Sequence, residues 1–164
     1  MRFVLIDRIT RIDRGNKIIA VKNLSMAEEY LGDHFPGFAV MPGVLMLEAM
    51  TQAAAWLIRD AEDFARTMIL LKEARNVKYA KFVEPGQTLL VTAELLKQSG
   101  DEARFKAEGL LDGRTAVSGR LTLRCYNLAD EDPRHAKTDV SVRENLREVF
   151  GLLYRPSEPA LDRG

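Results

Sequence analysis

The stretch HFPGFAVMPGVLMLEAMTQAAAWLI, residues 34–58, places one histidine ahead of a loop punctuated by proline and glycine, and one carboxylate, Glu48, inside an otherwise apolar run. Pro42 lacks an N–H that the first turn of a helix would leave unpaired anyway, so a helix is expected to begin there and run to about Asp60. The run is apolar on nearly every face and therefore needs cover on all sides. The most apolar part, 44–58, is fifteen residues long and is interrupted by Glu48, Thr51 and Gln52. That is shorter than a bilayer span, so the reading is a buried helix with no membrane insertion.

The rest of the chain supplies the cover. Residues 2–8 and 16–24 are rich in β-branched and apolar residues, with Arg14-Gly15-Asn16 between them, which predicts a hairpin. One helical turn fits 27–31, and an ordered loop fits the glycines and prolines of 32–43. Downstream the period becomes that of strands, at 67–71, 74–82, 87–98, 103–111 and 114–127, separated by Glu84-Pro85-Gly86, Ser99-Gly100-Asp101 and Asp112-Gly113. Six or seven antiparallel strands and one long hydrophobic helix predict an α+β fold, a curved sheet wrapped around that helix. After Asn127, Asp130-Glu131-Asp132-Pro133 reads as a linker. A further helix is expected at 141–153, with Ser141 and Glu144 as its capping box, and then a mobile tail around Pro156 and Pro159. The organisation is thus a domain over 1–127 and an extension over 128–164.

Composition narrows the function. A chain of 164 residues fits one domain, and 46% hydrophobic with 29% charged residues is ordinary for a globular protein. Net charge is zero, so nothing global attracts nucleic acid or membrane, and an electrostatic partner must be met by a local patch. The single Cys125 makes no internal disulfide, and the apolar run 3–6 is too short for a signal-peptide core; the expected location is the cytoplasm. There is no zinc spacing, P-loop, GxSxG or dinucleotide fingerprint, so no metal is expected.

On a helix, Glu48, Thr51 and Gln52 share one face. An isolated carboxylate in apolar surroundings should hold a proton near neutral pH unless a partner stabilises its charge, and such an acid can donate. His34, in the turns of the loop, is the natural base. Pro42-Gly43 opens the helix, leaving backbone N–H groups at its positive end for an oxyanion, and Gly43 permits close approach of a carbonyl. Base, acid and oxyanion donor together describe proton abstraction alpha to a carbonyl with loss or gain of a leaving group at the beta carbon. The plain alternatives are a hydrogen-bonded loop histidine and a glutamate bonded across a subunit interface; Gln52 is read as structural, and Cys125 and His135 as inert.

His34-Phe35-Pro36-Gly37, followed by Met41-Pro42-Gly43-Val44-Leu45 and by Glu48-Ala49-Met50 and Gln52-Ala53, resembles the signature of the Z-type 3-hydroxyacyl-[acyl-carrier-protein] dehydratases of type II fatty-acid synthesis. The likeness extends through Phe82-Val83-Glu84-Pro85-Gly86-Gln87 and the strands around Arg104-Phe105-Lys106 and Leu111-Asp112-Gly113, covering roughly residues 3 to 126. It implies a hot-dog fold in which two subunits pair with continuous sheets and three dimers often form a hexamer. It also implies that His34 takes the C2 proton of a (3R)-hydroxyacyl thioester and that Glu48 of the opposite subunit protonates or orients the departing hydroxyl. Gly43 N–H would polarise the thioester carbonyl, the Val40 carbonyl would hold the imidazole tautomer, and Gln52 would fix Glu48, with no cofactor. Related dehydratase–isomerases carry aspartate where this chain has Glu48. The chain departs from the family in having Ala39 where a second proline is usual, and in its extension.

The implied partner is acidic acyl carrier protein, for which Lys72, Arg75, Lys78 and Lys81 are the docking candidates; edge-strand lysines that block aggregation are the alternative. Phe38, Met46, Met50 and Trp56 are candidate tunnel lining, with core packing as the alternative. The competing functions are a hot-dog enoyl-CoA hydratase or acyl thioesterase, and a non-catalytic carrier-binding subunit.

Overall fold

Alternation of apolar and polar residues does produce strands, although not with every expected boundary. The computed structural model describes residues 4–156. β1 (Arg8–Asp13) and β2 (Lys17–Asn23) form the expected hairpin around Gly15, whose φ of 71° suits a residue without a side chain. Residues 4–7, expected as strand, instead form an extended lead-in: Leu5 and Ile6 are buried, and the Leu5 N–H donates to Gln52 Oε1 at 2.9 Å. Positions 2 and 3 of that expected strand lie outside the described residues.

The expected strands 67–71 and 74–82 are one strand, β3 (Met68–Tyr79). It slips register against its neighbour between Leu71 and Glu73 and between Arg75 and Lys78, with Asn76 at φ 53°. These bulges break the two-residue period, which is why the sequence read as two pieces. β4 (Thr88–Ser99), β5 (Glu102–Leu111) and β6 (Arg114–Tyr126) follow as a meander. Asp112 and Gly113 both have positive φ, 48° and 73°, as a two-residue I′ turn requires. Among the described residues the six strands form one antiparallel sheet in the order β1-β2-β4-β5-β6-β3.

α1 (Gly43–Ala61), with Pro42 as its N-cap residue, packs into the concave face of this sheet. Met46, Ala49, Met50, Ala53, Leu57 and Ile58 meet Leu89, Val91, Phe105 and Leu121 in one core. Cover on all sides, however, is not what a single chain supplies. Val44 is 69% exposed, and Leu47, Glu48 and Gln52 are only partly covered, because one sheet reaches around one side of the rod.

The extension departs most from expectation. The segment read as a linker is helical: α2 (Leu128–Glu131) begins at once after β6 under a capping box of Asn127 and Asp130, and a 3₁₀ turn (Pro133–His135) follows with Asp132 accepting the Arg134 N–H. α3 runs Ala136–Leu153, so Ser141 and Glu144 are interior positions of the helix and do not form its cap. Phe150 sits 5.8 Å from the Trp56 ring and 5.4 Å from Phe64, while Arg143 and Arg147 donate to the carbonyls of Phe64 and Asp63 at 2.8 and 2.9 Å. Asp63 and Phe64, at φ 51° and 60°, form the left-handed exit from α1, so α3 fastens a turn that the chain would otherwise hold at some cost. The tail from residue 157 on, including Pro159, lies outside the described residues.

Candidate active site

The loop that carries His34 is built from its own backbone. Phe35 and Phe38 exchange N–H···O bonds of 3.0 and 2.9 Å around Pro36-Gly37, and the Val40 N–H returns to the His34 carbonyl at 3.2 Å. The Met41 N–H donates to the Val83 carbonyl at 2.9 Å, tying the end of the loop to the segment after β3. His34 Nδ1 lies 3.1 Å from the Val40 carbonyl. A carbonyl can only accept, so Nδ1 carries the proton and the Nε2 lone pair is left available.

His34 opens into a cavity of about 380 Å³. Phe35, Met41, Gly43 and Met46 line one side, and Tyr79, Ala80, Lys81 and Phe82, at the end of β3 and just beyond it, line the other. Gly43 is the first residue of α1, so its N–H has no acceptor within the helix and sits at the positive end of the helix dipole. Of the four candidate lining residues, Met46 borders this cavity. Phe38 stands outside it with its edge on Phe82 at 5.5 Å; Met50 is wholly buried, and Trp56 is under Phe150. Tyr79 has no mark of its own in the sequence, and Met41 and Phe82 stand there only within the motifs that carry the resemblance, with no lining role attached. Tyr79 and Phe82 come from the end of β3 and just beyond it, more than thirty positions away, and nothing in the sequence says that they meet α1.

Glu48 occupies the other side of α1. Its Oε1 accepts from Gln52 Nε2 at 3.0 Å, and Gln52 Oε1 accepts the Leu5 N–H, so Gln52 bridges the carboxyl to the lead-in segment before β1. Thr51 turns back on its own helix, donating to the Leu47 carbonyl at 3.0 Å. Two residues on a helix turn through about 200°, so Glu48 points away from Met46 and from the His34 cavity. Glu48 is partly covered rather than sealed in the core. Within one chain the cavity of His34 does not include Glu48.

Two of the four candidate docking cations are already paired: Lys72 with Glu102, and Arg75 with Glu73 at 2.8 Å. Lys78 and Lys81 are exposed. The sheet adds cations that the sequence keeps far apart. Arg75 of β3 faces Arg120 of β6, which faces Lys106 of β5, and Arg104 lies one outward position further along β5. Like charges directly opposite each other disfavour a sheet, so this row is a local patch on a neutral protein.

Elsewhere, burial pushes the Cys125 thiol up to about 11, with the Glu62 carboxylate acting in the same sense. Burial also lowers the Arg59 guanidinium to about 10. Asp139 is buried; burial alone would raise its carboxyl, but the Thr67 hydroxyl, the Ala129 and Leu128 N–H groups and Arg143 hold it below its ordinary value. Among the described residues no group of three or more His, Cys, Asp or Glu is placed to hold a metal ion, and no helix is long and apolar enough to cross a membrane.

Comparison with known proteins agrees with this architecture. The FabA-like domain matches residues 1–120. A 3-hydroxyacyl-[acyl-carrier-protein] dehydratase FabZ of Albidiferax ferrireducens is 40% identical over 77% of this chain and 87% of its own length, and one of Lactococcus lactis is 39% identical over 73% and 83%. Among solved structures, the dehydratase heterocomplex ApeI:P of Xenorhabdus doucetiae superposes with a TM-score of 0.63 at 22% identity, covering 77% of this chain and 85% of that one. The PaaI protein of the E. coli phenylacetic acid degradation operon gives 0.55 at 13% identity over 71% and 81%. These two share the hot-dog fold. The matched stretch contains the His34 loop, α1 and the β3 end, and the chain belongs to the FabZ family of 3-hydroxyacyl-[acyl-carrier-protein] dehydratases within the FabA-like domain.

Proposed function

We propose that this protein is a hydro-lyase that converts (3R)-hydroxyacyl-[acyl-carrier-protein] to trans-2-enoyl-[acyl-carrier-protein] in fatty-acid or related lipid biosynthesis, with no cofactor, using His34 of one copy and Glu48 of another. The observation that carries it is the division of the site. His34, with Nε2 free, faces a cavity bounded by the open start of α1, whereas Glu48 stands on another, only partly covered side of the same helix.

His34 Nε2 takes the C2 proton of the thioester. The electron pair of that C–H bond forms the C2–C3 double bond as the C3–O bond breaks, and charge that builds on the thioester oxygen is met by the Gly43 N–H. Glu48 supplies the proton that lets the hydroxyl leave as water. Gln52 holds one carboxyl oxygen, leaving the other to carry that proton. The imidazolium then returns its proton through water to Glu48. General acid–base catalysis contributes about 10²–10⁴-fold and an oxyanion donor about 3–4 kcal/mol, so a weakly acidic thioester needs all three devices.

The face of α1 with exposed Val44 and partly covered Leu47 and Glu48, together with the free edge of β3, is what a second copy would cover, making a dimer with two shared sites, able to assemble further into a trimer of dimers. The hot-dog unit over 1–127 carries the chemistry, and 128–164 is an appended support. Lys78 and Lys81, together with the row Arg75, Arg120, Lys106, form the surface for an acidic carrier protein, and the reaction belongs to the cytoplasm.

The test is mass-spectrometric turnover of short to long (3R)-hydroxyacyl-carrier-protein substrates by wild type, His34→Ala and Glu48→Gln. Loss of water in wild type alone is expected. Release of free thiol without loss of water would make it a thioesterase, and folded protein that binds carrier but turns over nothing would make it a binding subunit.

A further inference from the structure

Gly43 and Tyr79 meet in a way that neither the helix nor the strand requires. Glycine opens α1 at position 43. It is commonly kept where φ is positive, but the Gly43 backbone is not in that region. What crowds a side chain here is the Tyr79 ring. A Cβ on Gly43 would lie 3.0 Å from Tyr79 Cε1 and 3.2 Å from Cδ1 and Cζ, tighter than most such contacts, so the ring would have to give by a few tenths of an ångström. Tyr79 is the last residue of β3, paired with Val117 and 50% exposed, so its ring lies against the start of α1 without being part of the core.

We infer that Tyr79 is a positioning residue whose ring shields the Gly43 N–H from water and holds it ready for the thioester oxygen. This rests on the proposed role of Gly43 as the oxyanion donor. A donor at the mouth of an open cavity is hydrated, and its water must leave before it can meet developing charge. A fixed apolar surface on one side removes part of that shell in advance and lowers the local dielectric, which strengthens the bond to the transition state more than that to the ground state. The ring performs this role; the hydroxyl is not needed for it.

Three variants, Tyr79→Ala, Tyr79→Leu and Tyr79→Phe, test the inference. Loss of a whole oxyanion donor lowers kcat about 10²–10³-fold, so loss of its shield should lower kcat about tenfold in Tyr79→Ala with KM changed less than about threefold. Tyr79→Leu should recover part of the rate and Tyr79→Phe most of it. In the same proteins, hydrogen exchange at the Gly43 amide should quicken in Tyr79→Ala and return toward wild type in Tyr79→Phe, while amides in the middle of α1 stay unchanged. A Tyr79→Ala enzyme within twofold of wild type in kcat, an unchanged Gly43 exchange rate, or a Tyr79→Phe enzyme as slow as Tyr79→Ala would each overturn it. Should wild type fail to dehydrate any substrate, the proposed function falls, while Gly43 exchange still decides whether the ring shields that N–H.

Discussion

Asp139 is where the extension is fastened to the sheet, and its removal has a size that can be worked out. The carboxylate is 4% exposed, accepts the Thr67 hydroxyl, and accepts the N–H groups of Leu128 and Ala129 at 3.0 and 2.8 Å. Asp139→Ala removes both acceptor oxygens and with them all three hydrogen bonds. A hydrogen bond to a charged group is worth about 1.5–3 kcal/mol net, and the partly exposed Leu128 and Ala129 amides regain water, so the expected loss is about 3 kcal/mol. For a chain of this length that is about 6–12 °C in Tm. The folded carboxyl is held below its ordinary value, so its contribution is complete above the unfolded value, about 3.9, and fades as pH falls through the lower folded one. Urea unfolding of wild type and Asp139→Ala at one protein concentration should therefore show the full difference at neutral pH and a shrinking one below about pH 4. A difference under about 0.5 kcal/mol at pH 7 would mean that these bonds do not hold the extension and that the Phe150 ring contacts and the Arg143 and Arg147 bonds do.

Cys125 is buried with its thiol pushed up to about 11, so iodoacetamide at pH 8 should leave the native protein unlabelled and label it only in denaturant. Labelling of native protein at the rate of a free thiol would contradict that burial. Arg120→Glu places an anion between Arg75 and Lys106, which should raise Tm slightly while raising KM for the carrier-bound substrate about tenfold at low salt, an effect that fades as salt rises. An unchanged KM would move carrier docking off this face.

How much of this was legible before the fold was known differs by element. The helix from Pro42 was legible because its apolar period is long and its start is marked by proline and glycine, and the turns at Gly15 and Asp112-Gly113 were legible because their chemistry is local. β3 read as two strands because its bulges shift the pattern that a strand is recognised by. The start of α3 is not legible because its first turn, Ala136 to Asp139, shows no apolar stripe; Asp139 faces inward through hydrogen bonds, which periodicity does not register. His34, Gly43 and Glu48 stood out as the wrong residue types for their surroundings. What the sequence could not display is which cations already have partners, as Lys72 does, or which distant ring comes to rest on Gly43, because both depend on strand register across the sheet.

The division of the site between the two sides of α1 is the central claim, and mixing inactive subunits tests it most directly. His34→Ala and Glu48→Gln proteins, each inactive alone, are unfolded together in equal amounts and refolded. Random pairing in a symmetric dimer makes half the molecules mixed, each with one intact site of two, so dehydration should return to about one quarter of the wild-type rate. Activity no greater than that of either variant alone, in a mixture shown to contain the mixed dimer, would contradict a site shared between copies.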